Sequence, residues 1–152
     1  MVIGIISDTH GSLNRQASEA LAGVDHIIHA GDVGAPDIIA ALKRIAPVTA
    51  VRGNTDGGYL AKQLPAVNMV TLVGITFYVL HDILTLDLDP VAAGVQVVVS
   101  GHTHRAEIKS TGAVLYLNPG SASQSRNGAG LSLARIHISK SGLKPEIVDL
   151  KG

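Results

Sequence analysis

Short apolar runs, rich in β-branched residues, recur along the chain, and each gives way at once to a small cluster of Gly, Asp, His or Asn. Val2 to Ile6 leads into Ser7-Asp8-Thr9-His10-Gly11, His26 to His29 into Ala30-Gly31-Asp32, and Val48 to Val51 into Arg52-Gly53-Asn54-Thr55-Asp56. Phe77 to Leu80 leads into His81-Asp82, Val95 to Val99 into Ser100-Gly101-His102-Thr103-His104, and Val114 to Leu117 into Asn118-Pro119-Gly120-Ser121. Runs of this length bounded by turn formers predict buried strands. Polar residues at the carboxyl ends of such strands stand where open α/β folds place their sites. Two helical patterns separate the first three runs. Ser12 is the expected N-cap of the first, with Leu13, Ala17, Ala20 and Leu21 on one face and Gly23 as its stop. Pro36 opens the second, Ile38, Leu42 and Ile45 share its apolar face, and Pro47 closes it.

These connections predict β-α-β crossovers. The second half reads as hairpins: Val67 to Leu72 with Ile75 to Leu80 around Val73-Gly74, and Leu131 to Ile138 with Leu143 to Leu150 around Ser141-Gly142. One short helix is expected at Asp89-Pro90. Together the halves predict a mixed α/β domain of two packed sheets with outer helices. No repeat or linker divides the chain, so residues 1–152 are expected to form a single domain.

Composition narrows the function. Lys plus Arg and Asp plus Glu are 12 each, so the net charge is zero, and no basic run offers a surface to extended nucleic acid. There is no cysteine, which excludes disulfides, zinc–thiolate sites and cysteine nucleophiles. No segment approaches the apolar length of a membrane span, and a cytoplasmic protein is the expectation. Charged residues are only 16 %, but seven histidines stand out, and metal chemistry is the natural use for them beside so many aspartates.

Asp8-x-His10, Gly31-Asp32, Gly53-Asn54, His81 and Gly101-His102-Thr103-His104 supply carboxylate, imidazole and amide ligands from successive strand ends. Such a set suits two divalent ions of the manganese, iron or zinc type better than magnesium or calcium. If the strands stay extended, residues two apart point to one side, so Asp8 with His10 and His102 with His104 would each face a common point. The glycines beside the ligands are expected to let the backbone bend sharply. Singly, any of these residues is more often a cap or a satisfied polar group; in this order they argue for a metal site. His26, His29 and His137 are expected to serve packing or the surface.

The same motifs, from residue 3 to about residue 121, resemble the calcineurin-like metallophosphoesterases. Asn118-Pro119-Gly120-Ser121 and the short length are similar to the small single-domain bacterial and archaeal phosphodiesterase branch, which also contains a retromer subunit. The resemblance implies a four-layer α/β fold, two mixed β-sheets packed as a sandwich and flanked by helices. It implies one metal on Asp8, His10, Asp32 and His104 and another on Asp32, Asn54, His81 and His102, with Asp32 and a hydroxide between them. Manganese is the expected ion, with nickel, iron or zinc as alternatives, and the expected substrate is a small phosphoester. A homo-oligomer without a membrane partner is anticipated, and a binding scaffold with little catalysis is the alternative function.

Two departures from the family pattern bear on mechanism. Thr55 stands where the family often has a histidine that protonates the leaving group, and Thr55 is a poor acid. Asp56 follows as a possible proton donor, so the candidate catalytic set is Asp32, Asn54, Thr55, Asp56 and His102. Asp82 replaces a usual glycine after His81, and either orients a ligand histidine or crowds the site. Arg126 is weighed as a phosphate contact against a solvated loop residue, and Asn118 as a donor that buttresses the metal loops.

Overall fold

The apolar runs fold as the strands they predict, and their order explains why so many polar clusters meet. The computed structural model describes residues 1–125 and 128–150. Its elements are β1 (Val2–Ile6), α1 (Arg15–Ala20), β2 (His26–His29), α2 (Pro36–Lys43), β3 (Val48–Ala50), α3 (Gly58–Gln63), β4 (Val67–Leu72) and β5 (Ile75–Leu80). A 3-10 turn at Ile83–Thr85 follows, then β6 (Val97–Val99), β7 (Ala106–Thr111), β8 (Val114–Pro119), β9 (Leu131–Ser139) and β10 (Gly142–Leu150). One sheet has the order β10-β9-β1-β2-β3 and the other β4-β5-β6-β8-β7. Within them β1, β2 and β3 run parallel, as do β5, β6 and β8. Parallel strands end on the same side of a sheet, so the clusters after β1, β2, β5 and β6 are delivered to one end of the sandwich.

Three apolar layers hold this frame. Ile3, Ile5, Ile28, Phe77, Val79, Val97 and Ile136 fill the space between the sheets. Ala17 and Leu21 of the first helical segment, with Ile38 and Leu42 of α2, cover the outer face of the first sheet against Ile6, Ile27 and Leu133. Tyr78, Leu80, Val98 and Val114 form the outer face of the second sheet and pack on Ile83, Leu86, Leu88 and Val95. Fully burying an aliphatic side chain contributes about 1.5–3 kcal/mol, so these layers dominate the favourable side of folding.

Two local expectations are corrected, and two elements were not anticipated. Asn14, not Ser12, caps α1: its Oδ1 accepts the Ala17 N–H at 2.8 Å, while the Ser12 amide is spent on the Thr9 carbonyl in the preceding turn. The segment after Asp89-Pro90 makes one hydrogen-bonded turn and no helix, since Gly94 at φ 73° ends it. Strand β7 and helix α3 have no counterpart among the expected elements. All six residues of β7 are exposed, and an edge strand with neither face buried shows no apolar alternation.

Candidate metal centre

Asp8, His10, Asp32, His81 and His104 converge at the carboxyl ends of β1, β2, β5 and β6, and two sets of ligand atoms lie within 4.8 Å of one another: Asp8, His10 and His104, and Asp8, Asp32 and His81. Asp8 Oδ1 is 3.7 Å from His10 Nε2, 3.9 Å from His81 Nε2 and 3.1 Å from His104 Nε2. Asp32 Oδ2 stands between two histidines, 3.8 Å from His10 Nε2 and 3.3 Å from His81 Nε2. The four imidazoles fall into two pairs, His10 with His104 at a centroid separation of 5.4 Å and His81 with His102 at 5.1 Å. His102 Nδ1 lies 3.2 Å from Asn54 Oδ1, which brings Asn54 to the second pair.

The ligands do not reach this point by strand alternation. Asp8, His10, Asp32, His102 and His104 have φ of 56°, 46°, 55°, 72° and 61°, so the extended geometry ends before them. Aspartate and histidine tolerate the left-handed region better than most residues, but each still costs on the order of 1 kcal/mol. Bonds between loops of different strands offset that strain. Asp8 N–H donates to the Gly31 carbonyl, His10 N–H to that of Asp32 and Gly11 N–H to that of Val33, which zips the loops after β1 and β2 together. Asp8 Oδ2 accepts from Ser7 Oγ at 2.6 Å and from the His102 amide at 3.1 Å, and the hydroxyls of Ser121 and Ser123 donate to the Asp8 carbonyl. Asn118 Nδ2 donates to the Gly101 carbonyl and to Thr103 Oγ1, so it holds the loop carrying His102 and His104 as a buttress. Ser7, Ser121 and Ser123 carry no mark in the sequence beyond lying in turn clusters.

Three glycines make room for these contacts. A Cβ at Gly53 would collide with the carboxylate and amide of Asp32, one at Gly101 with Ser7 Oγ and Asp8 Oδ2, and one at Gly31 would stand 2.7 Å from His81 Nδ1. Sharp bending is the reason for glycine only at Gly31, whose φ is 101°; at Gly53 and Gly101 the reason is space.

Asp56 takes a different position from the proton donor considered for it. Its Oδ2 accepts the amides of Val33 and Gly53, both at 3.0 Å, and its Oδ1 accepts that of Gly34 at 2.9 Å. The carboxylate thereby ties the loop carrying Asp32 to the loop carrying Asn54. Thr55 is exposed, and its amide donates to Asp32 Oδ1 at 2.9 Å. Asp82 faces His102, not His81: its Oδ2 is 3.9 Å from His102 Nε2, and its Oδ1 caps the 3-10 turn through Leu84 N–H. Arg126 lies outside the described residues.

Burial pushes the Asp32 pKa up, yet the His81 ring, 3.3 Å from its Oδ2, and the hydrogen bond from the Thr55 amide outweigh it and hold this carboxyl well below the usual range. Burial pulls His81 down, but Asp32, the Ala30 carbonyl and Asp8 together raise it above its ordinary value. His81 Nδ1 donates to the Ala30 carbonyl at 2.7 Å, which directs Nε2 toward Asp8 and Asp32. His29 is fully buried, accepts the Gly31 amide on Nδ1 and gives its Nε2 proton to Thr9 Oγ1, which donates to the Val33 carbonyl. Desolvation lowers its pKa to about 4. It is therefore a neutral packing residue, as expected, while His137 sits 3.5 Å from Glu146.

Asp8 Oδ1, His10 Nε2 and His81 Nε2 are buried and have no hydrogen-bond partner among the described residues. Unsatisfied buried polar atoms are rare, and these belong to a carboxylate and two imidazoles aimed at one another, the donor set of a first-row divalent cation. The residues fit such an ion.

Residues 1–141 match the sequence profile of the calcineurin-like phosphoesterase superfamily domain. A probable metallophosphoesterase of Methanocaldococcus jannaschii is 40 % identical over 134 residues, covering 80 % of this chain and 68 % of that protein. A phosphodiesterase of the same organism is 30 % identical over 138 residues, 79 % of this chain and 83 % of its own length. The crystal structure of wild-type Vps29 complexed with zinc, from Entamoeba histolytica, superposes with a TM-score of 0.77 at 19 % identity, covering 99 % of this chain and all of that one. That last likeness shows the two-sheet sandwich alone.

Proposed function

The chain belongs to the calcineurin-like phosphoesterase superfamily, and from that premise we propose that it hydrolyses small phosphodiesters at a centre of two divalent ions. The observation that carries this reading is the division of four histidines into two pairs around Asp8 and Asp32. Asp8, His10, Asp32 and His104 would hold one ion, and Asp32, Asn54, His81 and His102 the other. The position of Asp32 Oδ2 between His10 and His81 supports a shared role for it. Bound there, divalent ions would supply positive charge for the phosphoryl oxygens and a water of lowered pKa as nucleophile. Manganese is the ion we expect first, since mixed imidazole, amide and carboxylate ligands suit it.

The residues of the chain contribute orientation and charge. Asp32 stays ionised across the neutral range because His81 and Thr55 hold its pKa down. The Ala30 carbonyl fixes the ring of His81, and Asn118 fixes the loop of His102. Both sheets contribute strand ends to the centre, which supports residues 1–152 as one catalytic domain. No helix among the described residues is long and apolar enough to cross a membrane.

The test is a panel of phosphomonoesters, phosphodiesters and cyclic nucleotides assayed on chelator-treated protein resupplied with manganese. Diester hydrolysis that requires the metal is expected, and Asp32→Asn should lower it at least about a hundredfold, since it weakens both ions. Full activity after chelation, or in that variant, would refute the two-ion reading. The exposed Thr55, in the place of a family histidine, favours one rival: a scaffold that binds metal and protein without turnover. Metal-saturated protein inert toward every ester would decide for that rival.

A further inference from the structure

Beside the metal centre lies a pocket of about 270 Å³ that the proposed chemistry leaves unassigned. Its walls include Ile83 of the 3-10 turn, Thr103, the alternate residues Glu107, Lys109 and Thr111 of β7, and Tyr116 of β8. Lys109 and Tyr116 are cross-strand partners, and Glu107 pairs with Asn118, so the β7 and β8 side chains form one continuous wall. Thr103 joins this wall to the centre, because it stands between His102 and His104 and is held by Asn118.

The lining defines the occupant. Thr103 Oγ1 accepts from Asn118 Nδ2 at 3.1 Å and from the Arg105 amide at 3.2 Å, which leaves its own proton to give. Glu107 and Lys109 form no ion pair among the described residues and cancel in charge, so the pocket has donors and acceptors but no preference for a second phosphate. Tyr116 and Ile83 supply apolar surface. The volume is just below the roughly 300–1,000 Å³ of common small-molecule sites, enough for one ring system.

We propose that this pocket receives one ester arm of the substrate, an uncharged ring carrying both hydrogen-bond donors and acceptors, as in a nucleoside or a sugar. The proposal rests on the phosphodiesterase reading. It makes β7, whose side chains are otherwise in solvent, the strand that selects the substrate, while the metal loops act on the phosphoryl group common to all substrates.

Three 4-nitrophenyl diesters test it: the methyl ester, a uridine ester and a glucosyl ester, each with manganese-loaded protein. One ring ester should exceed the methyl ester in kcat/KM by about tenfold or more, the worth of a net hydrogen bond with some apolar contact. The two ring esters distinguish a nucleoside from a sugar. Lys109→Ala, and Thr111→Trp to fill the pocket from an exposed edge position, should each cut that preference at least about fivefold, mainly through KM. Absence of any preference, or a preference untouched by both variants, overturns the proposal. If wild-type protein cleaves none of the three, the phosphodiesterase reading has failed, and the pocket is judged by binding alone. Uridine or methyl glucoside titrated into metal-free protein should then shift the amide signals of Thr103, Lys109 and Thr111; no shift at tens of millimolar overturns it.

Discussion

Replacing Asp56 by asparagine separates a clamp from an acid. The wild-type carboxylate accepts three backbone N–H groups, two on Oδ2 and one on Oδ1, and is only 8 % exposed. A side-chain amide in its place offers one acceptor oxygen. Set where Oδ2 stands, that oxygen keeps the Val33 and Gly53 bonds but exchanges charge-assisted bonds of about 1.5–3 kcal/mol for neutral ones of about 0.5–1.5 kcal/mol. The NH2 group then meets the Gly34 N–H donor to donor, and that amide must turn to water. The sum is about 2–4 kcal/mol of lost stability, or roughly 5–15 °C in Tm for a chain of this size. Urea unfolding in chelator reads the loss without contribution from metal, and a series of aryl and alkyl diesters reads the proton transfer. A clamp predicts lower stability, weaker metal binding that excess manganese partly restores, and an unchanged dependence of rate on leaving-group pKa. An acid predicts unchanged stability and a steeper dependence. If Asp56→Asn unfolds within about 0.5 kcal/mol of wild type and its leaving-group dependence steepens, the clamp is refuted.

Three further outcomes follow from the same geometry. Gly53→Ala should lower stability by a few kcal/mol and weaken manganese binding about tenfold or more, because its methyl meets the carboxylate and backbone of Asp32; calorimetric titration checks it, and wild-type affinity would contradict it. His29 has a folded-state pKa of about 4 against an unfolded value near 6.5, so between those values the unfolded chain takes up a proton that the folded one refuses. Stability from this group is full above about pH 6.5 and falls by ~3 kcal/mol as the pH drops toward 4; an imidazole NMR titration of His29 near 6.5 would refute it. Thr55→His should flatten the dependence of rate on leaving-group pKa, since a nearby acid helps basic alkoxides most, by about 10²–10⁴-fold. A flat series in the wild type would show that another donor already serves.

Much of the frame was legible because periodicity reports which faces of a strand or helix are buried. Val2–Ile6, His26–His29 and Ile75–Leu80 are strands at the bounds their apolar runs suggested, and both hairpins form. The helix face of Ala17 and Leu21 is buried even though its cap moved from Ser12 to Asn14. Beyond a strand's last residue the pattern ceases to inform, since loop conformation is set by bonds to other loops. The left-handed backbone at Asp8, His10, Asp32, His102 and His104 belongs to that class, and so do the three amides on Asp56. Strand β7 is illegible for the opposite reason: it is regular but buries nothing.

The glycines show how the motifs depend on one another. Each precedes a ligand in sequence, which invites the explanation that it helps its own neighbour to turn. Instead Gly53, beside Asn54, clears space for Asp32; Gly101, beside His102, clears space for Asp8; and Gly31, beside Asp32, admits His81. The ligand of one strand end therefore occupies the volume that the glycine of another leaves free. Strain at five left-handed residues is tolerated because these contacts form together, with Asp8 bonded to the His102 amide and Asp32 to the Thr55 amide. Loosening one loop should thus displace a ligand on a different strand, so damage at Gly53 is expected first at Asp32 and damage at Gly101 first at Asp8. The unit that the sequence encodes is a set of interlocked loops, and no single motif within it is a binding site by itself.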